Sequence, residues 1–281
     1  MRTTSAVLGA AALTLALAAC GAPSEQSNGS GGGEDVLRVG ANPVPHGDIL
    51  AFIDEIQEIS DYNTPNAALV EGELDANYFQ HRSFLNEWVA NGPDVDLTYL
   101  TDVHIERLGL YSEDVESIDD LPEGAEIAVP NDPANLSRAL HILETEGLVT
   151  IDPEAGQTAT ENDITDNPRD ITVTPLEAAQ LPRSISDVDA AIVNGNYAIE
   201  ANLPEESNVL AWEPEGEDYV EAYANGLVTL SENADDERVQ LLVELLHDER
   251  VLEFIQESWQ GVVLPVDAEG EIVETEGAVQ E

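Results

Sequence analysis

The chain has 281 residues, enough for one large domain or two smaller lobes. Apolar residues make up 42%, so a substantial core can be buried, while 9 basic side chains stand against 58 acidic ones for a net charge of -49. A surface this negative repels nucleic-acid phosphates and anionic lipid head groups, and neither is an expected partner. Every basic residue is Arg, and the acids run from Glu25 to Glu281 without clustering. Two readings compete: an acidic patch for a cation or metal, or a whole surface adapted to concentrated salt, where screening removes the repulsion. The even spread favours the second, and it makes no single Asp or Glu informative by being acidic. One cysteine excludes an internal disulfide.

The N-terminus reads as an address. Arg2 precedes an apolar run from Ala6 to Ala19 that is too short to span a bilayer and fits a signal-peptide core. It ends in Leu17-Ala18-Ala19-Cys20. This resembles the bacterial lipoprotein signal, in which residues 1–19 are removed and Cys20 is acylated, palmitate included. An ordinary signal peptide with an incidental cysteine is the alternative. Residues 20–35 are rich in Gly and Ser, the composition of a flexible tether. With no strand before those glycines, they do not form a phosphate loop.

Along the remaining chain, Val36 to Gly40 reads as a strand. Gly47 to Glu55 reads as a short helix with Ile49, Leu50, Phe52 and Ile53 at helical spacing. Ile56 to Tyr62 reads as extended, Ala67 to Glu71 as helical, Leu74 to Ala76 as extended. Phe84 to Asn91 is predicted helical, ended by Gly92-Pro93. Asp96 to Leu100, His104 to Tyr111 and Ala125 to Val129 read as strands. After the turn Pro130-Asn131-Asp132-Pro133 a helix runs to Gly147, with Asp132 as N-cap, Pro133 in its first position and Gly147 as C-cap. Ile171 to Pro175 and Ala190 to Val193 are predicted strands, with a short helix over Glu177 to Leu181 between them. Val220 to Leu230 reads as extended, and Val239 to Leu246 and Val251 to Trp259 as amphipathic helices. Strands alternating with helices indicate an α/β fold. Two small α/β units, 36–100 and 125–193, are joined by extended stretches at 103–111 and 220–230, a form that suits a cleft for a small ligand.

No motif demands catalysis. The five histidines, His46, His81, His104, His141 and His247, form no His-Glu-x-x-His and no zinc spacing. A nucleophile elbow, a Walker loop and a spaced-acid calcium loop are all missing from the sequence. An enzyme is not expected, nor is a cofactor or metal.

Several stretches resemble one family when taken together and in order. They are Val39-Gly40-Ala41-Asn42-Pro43-Val44-Pro45-His46; Ser60-Asp61-Tyr62 with Pro65-Asn66; and Gly72 to His81. Pro130 to Asn135 follows, with Arg138-Ala139-Leu140, then Leu176 to Ser184, Asp189-Ala190-Ala191 and Asn194 to Ala198. The chain from about Leu37 to Pro265 is similar to the methionine-binding lipoproteins of ABC importers, the NlpA/MetQ lipoproteins. The sequence departs from the family pattern at Ser83 (usually Pro), Phe84 (usually Tyr) and Thr229 (usually Arg), and is shorter between His46 and Tyr62.

The resemblance implies a two-lobed, type II periplasmic-binding-protein fold with two crossing segments. Lobe 1 is expected at 36–107 and 223–266, lobe 2 at 108–222, and an acidic, disordered tail at 267–281. It also implies a monomer that captures methionine for a partner permease and ATPase, held by its lipid anchor on the extracytoplasmic face of the cell membrane. A related ligand (D-methionine, methionine sulfoxide or a methionyl peptide) is the nearer alternative, and a surface enzyme or adhesion protein the more distant. The family's ligand contacts fall on Tyr62, Phe79, His81, Phe84, Arg138, Asn194 and Asn225. In that role Arg138 suits a carboxylate, Asn194 and Asn225 an ammonium group, and the aromatic set a thioether. His46 and His104 are read as structural.

Overall fold

The computed structural model describes residues 36–51, 57–215, 218–259 and 261–273. Cys20, the signal segment and the tether lie outside them. Strand β1 (Val39–Ala41) runs into a turn over Pro43–Gly47 and one helical turn, α1 (Asp48–Ala51). The remainder of the helix expected to Glu55, with Phe52 and Ile53, lies outside the described residues. Then come β2 (Gln57–Glu58), α2 (Thr64–Val70), β3 (Ala76–His81), α3 (Arg82–Asn91) and β4 (Leu97–Glu106). The two strands expected over 96–100 and 104–111 are redrawn. β4 is continuous through polar Thr101-Asp102, because the backbone ladder to its neighbours does not depend on side-chain polarity. The break falls later, and β5 (Gly109–Ser112) joins another sheet.

β6 (Glu126–Pro130) leads into α4 (Pro133–Thr145), and Asp132 accepts the Asn135 N–H at 3.0 Å as the predicted cap. Gly147 follows in the left-handed region, at φ +69°. A small hairpin of β7 (Thr150–Ile151) and β8 (Ile164–Asp166) precedes β9 (Thr172–Leu176), α5 (Leu181–Ser184) and β10 (Ala190–Val193). α6 (Gly195–Glu200), α7 (Leu203–Glu206) and β11 (Asn208–Trp212) complete this part. The stretch expected as extended from Val220 to Leu230 is instead a helical turn, α8 (Tyr219–Tyr223), followed by β12 (Ala224–Leu230). Helices α9 (Glu237–Leu246) and α10 (Glu249–Ser258) precede β13 (Val263–Pro265).

Two sheets organise the fold. One has six strands in the order β13-β4-β12-β3-β1-β2; the other has five, β11-β5-β10-β6-β9. Val39, Ile49, Tyr78, Leu242, Leu246 and Ile255 share the core of the first, while Ile127, Val129, Leu140, Leu143 and Ile192 share that of the second. Burying one such side chain is worth about 1.5–3 kcal/mol, whereas helix propensities differ by only about 0.7 kcal/mol per residue. Packing on the sheets therefore holds the short helices more than propensity does. The chain passes from the first sheet to the second between Glu106 and Gly109, and returns between Trp212 and Ala224. The expectation of disorder from Asp267 fails for 267–273: Val266 bridges Ile272, and the Val273 N–H donates to the Pro265 carbonyl at 2.9 Å. The rest of the expected tail lies outside the described residues.

Candidate ligand-binding site

All seven residues singled out in the sequence line one cavity, together with Gln80, Glu106 and Asn135. Their positions follow from the sheets. Phe79 and His81 sit at the C-terminal end of β3, Arg138 on the helix after β6, and Asn194 just past β10. All three strands have parallel neighbours, and ligands gather at such carboxyl ends. Asn225, on β12, lies in register with His81 on one side and His104 on the other. Tyr62 comes from the loop before α2, where the Asp61 carboxylate accepts the backbone N–H groups of Asn63 and Thr64 at 2.8 Å.

A β-bulge re-aims β3. Gly226 pairs with Gln80 and Leu227 with Tyr78, so Phe79 is the extra residue. The shift places Asn77 and Gln80 within reach of each other at 2.9 Å, and both hydrogen-bond Asn66. This buried amide triad braces the strand beneath the cavity. Gly226 is required here, since a Cβ would stand 2.0 Å from the Thr101 carbonyl oxygen.

The aromatic side of the cavity is a set of tilted and edge-to-face rings. Tyr62 lies 6.2 Å from Phe79 and 5.8 Å from Phe84 between ring centroids, and Phe79 and Phe84 are 5.8 Å apart. The Tyr62 hydroxyl donates to Asn196 Oδ1 at 2.6 Å. Phe84 fills this wall without a hydroxyl. His81 caps α3: its Nδ1 accepts the Phe84 N–H at 3.2 Å, so the proton sits on Nε2, which donates to Asn135 Oδ1 at 3.2 Å. Burial, reinforced by the charge of Arg138, lowers the His81 pKa to about 3 and keeps the ring neutral.

The polar side is built around two buried charges. Arg138 donates from Nε and Nη2 to the two oxygens of Glu213, at 2.7 and 2.5 Å. Nη2 also reaches the Glu106 carbonyl at 3.1 Å, and Nη1 reaches Asn135 Oδ1 at 3.0 Å. Its guanidinium lies 4.5 Å from the centroid of the Tyr223 ring. Burial opposes the charge, but Glu213 outweighs it and raises the Arg138 pKa further. The two-pronged grip expected for a ligand carboxylate is thus already engaged on one edge by an internal carboxylate.

Glu106 is the second charge. Its Oε1 lies 3.2 Å from His46 Nε2 and 3.1 Å from His104 Nε2, and its Oε2 accepts the Asn196 N–H at 2.6 Å. The Glu106 carboxylate accepts from His104 Nε2, which places the proton there and leaves Nδ1 to accept from the Tyr78 hydroxyl. His46 Nε2 also faces Asn225 Oδ1 at 3.3 Å. Burial lowers the pKa of His46 to about 4 and of His104 to about 3, and it raises that of Glu106. His46, His104 and Glu106 offer three possible metal-ligand atoms within 4.8 Å of one another. Both Nε2 atoms lie at hydrogen-bond distance from one carboxylate oxygen, so these contacts need no ion. The Oδ1 of Asn194, buried and lining the cavity, has no hydrogen-bond partner among the described residues.

Sequence reasoning missed Glu106 and Glu213. In a chain with 58 acids, neither carries a signal; only the fold, which places Glu106 at the end of β4 and Glu213 just beyond β11, separates them from the rest. Thr229 is fully buried, and its hydroxyl donates to the Asp75 carbonyl at 2.7 Å, so it serves the sheet and not the cavity.

Two lobes on separate sheets, joined by two crossings and enclosing a small, partly charged cavity, define a substrate-binding protein. A profile of the NlpA lipoproteins matches residues 37–267, and the chain belongs to that family. It is 36% identical over 261 residues to the probable D-methionine-binding lipoprotein MetQ of Vibrio cholerae, covering 90% of this chain and 94% of that one. It is 33% identical over 275 residues to the methionine-binding lipoprotein MetQ of Bacillus subtilis, covering 92% and 97%. Among solved structures, a nutrient-binding protein from Burkholderia cenocepacia bound to methionine superposes with a TM-score of 0.76 at 36% identity, over 82% of this chain and 99% of that one.

Proposed function

We propose that this chain captures methionine outside the cytoplasm and delivers it to an ABC permease driven by its ATPase. The observation that carries the reading is the convergence of seven sequence-selected residues on one cavity with separate apolar, cationic and acceptor sides. Methionine has a matching set of groups. Its thioether fits among Tyr62, Phe79, His81 and Phe84, where each sulfur–aromatic contact contributes about 0.3–1.5 kcal/mol. Its carboxylate meets the Nη1 side of Arg138, and its ammonium group meets the Glu106 carboxylate, Asn225 and Asn194 Oδ1, which has no partner among the described residues. The methionine-bound relative from Burkholderia cenocepacia supports the choice of ligand.

In this reading Cys20 carries the lipid, the Gly/Ser segment is the tether, and binding without turnover is the activity of a monomer. Recovery of the bound small molecule from purified protein by mass spectrometry tests the ligand. Methionine is expected, chiral analysis gives its hand, and recovery of a different amino acid contradicts the assignment. Replacing Cys20→Ser tests the anchor: the protein should leave the membrane fraction, because acyl burial contributes about 0.8 kcal/mol per CH₂. A variant that stays membrane-bound after a high-salt wash contradicts it.

A further inference from the structure

Arg138 stands between two cavities. One is the ligand cavity; the second is bounded by His141, Gln157, Glu213, Asp218 and the rings of Tyr219 and Tyr223. Arg138 alone is common to both linings, and Glu213 lines only the second. From that side Glu213 engages Nε and Nη2 with both oxygens, while the Tyr219 hydroxyl donates to its Oε2 at 3.1 Å. The Glu106 carbonyl and Asn135 Oδ1 take two further N–H groups. Among the described residues, four of the five guanidinium donors are therefore engaged, and the fifth is on Nη1.

We infer that Glu213 is a specificity-determining residue: it holds Arg138 as a wall between the cavities, so that the site takes a ligand ending in a free α-carboxylate and refuses one extended beyond it. The inference rests on the amino-acid reading of the ligand cavity. A ligand amide brings no charge to the guanidinium and leaves it with Glu213 alone. A peptide extended at its carboxyl end needs the second cavity, and reaching it requires Arg138 to give up its ion pair and two further hydrogen bonds together. Glu213 acts through Arg138 and does not line the ligand cavity.

Calorimetry on the full-length chain, stripped of ligand, tests this with methionine, methioninamide and methionyl-glycine. Wild type should bind the amide and the dipeptide about 100-fold or more weaker than methionine. In Glu213→Gln the preference for methionine over methionyl-glycine should fall about tenfold or more, because a neutral amide no longer pins the guanidinium. Glu213→Asp, with its charge kept on a shorter arm, should be intermediate, and it carries the same comparison if Glu213→Gln does not fold. Wild type binding methionyl-glycine as well as methionine overturns the inference. So does a folded variant that weakens all three ligands by one common factor, the mark of a merely structural carboxylate. If wild type ignores methionine and binds another amino acid, the ligand reading fails, and that amino acid, its amide and its glycine-extended form replace the panel.

Discussion

Arg138 has two tasks in one side chain: it is half of a buried ion pair and the cationic end of the cavity. Removing one partner of such a pair typically costs about 3–5 kcal/mol, because the other charge stays buried. Arg138→Ala should therefore lower both the melting temperature and methionine affinity, the latter by about two to three orders of magnitude. Arg138→Lys should recover binding in part, since an ammonium cannot reproduce the fork. The tasks separate in the double variant Arg138→Met with Glu213→Leu, an apolar replacement of the pair. It should regain most of the lost stability while methionine binding stays lost. Calorimetry and thermal melts measure both, and a double variant that binds methionine like wild type contradicts the site.

The buried histidines give a pH dependence of known sign. His46, His81 and His104 stay neutral in the fold, with pKa values of about 4, 3 and 3. In the unfolded chain a histidine titrates near pH 6.5, so between pH 7.5 and 5.5 the unfolded state binds more protons and stability falls with pH. At pH 5.5 each histidine removes about 1.4 kcal/mol. Glu106, whose pKa is raised, works in the opposite direction by holding its proton in the fold at higher pH. Urea unfolding in molar KCl, which screens the surface acids, should show a falling midpoint over this window. His104→Gln should make the fall shallower; an unchanged slope contradicts the assignment of neutral, buried rings.

At the scale of elements, the parts legible in sequence were those with punctuation. α4 is announced by Asp132, Pro133 and Gly147, and α9 and α10 by their apolar spacing, each opening on an Asp whose carboxylate accepts an N–H two residues on. β11 and the hairpin of β7 and β8 had no such marks, and α8 was hidden in Tyr219 to Tyr223, whose aromatic and β-branched content reads as strand. The family motifs pointed to residues that line one cavity, but not to the bulge that aims Phe79 nor to the partner of Arg138, since both depend on pairings far apart in sequence. The bulge itself is testable. Gly226→Ala drives a methyl group into the Thr101 carbonyl and the Tyr99 hydroxyl, and a backbone carbonyl cannot move aside. The variant should lose about 1–3 kcal/mol of stability by urea unfolding, with weaker methionine binding because Asn225 is its neighbour. A neutral result contradicts the close approach of β12 to β4.

For the whole molecule, the charge and the cavity set opposite demands. A net charge of -49 repels itself, whereas the site depends on a few buried, paired charges that salt screens little. Thermal unfolding should therefore shift upward from dilute buffer to molar KCl, while methionine affinity changes far less. Equal midpoints would mean that the acidic surface answers to something other than salt. The proposed role of the protein comes down to one binding event. Calorimetric titration of methionine into ligand-stripped, full-length protein in molar KCl tests it directly. It predicts saturable binding of one methionine per chain, with leucine weaker because it lacks the sulfur–aromatic contacts. A folded protein that gives no methionine isotherm but binds a different amino acid would contradict it.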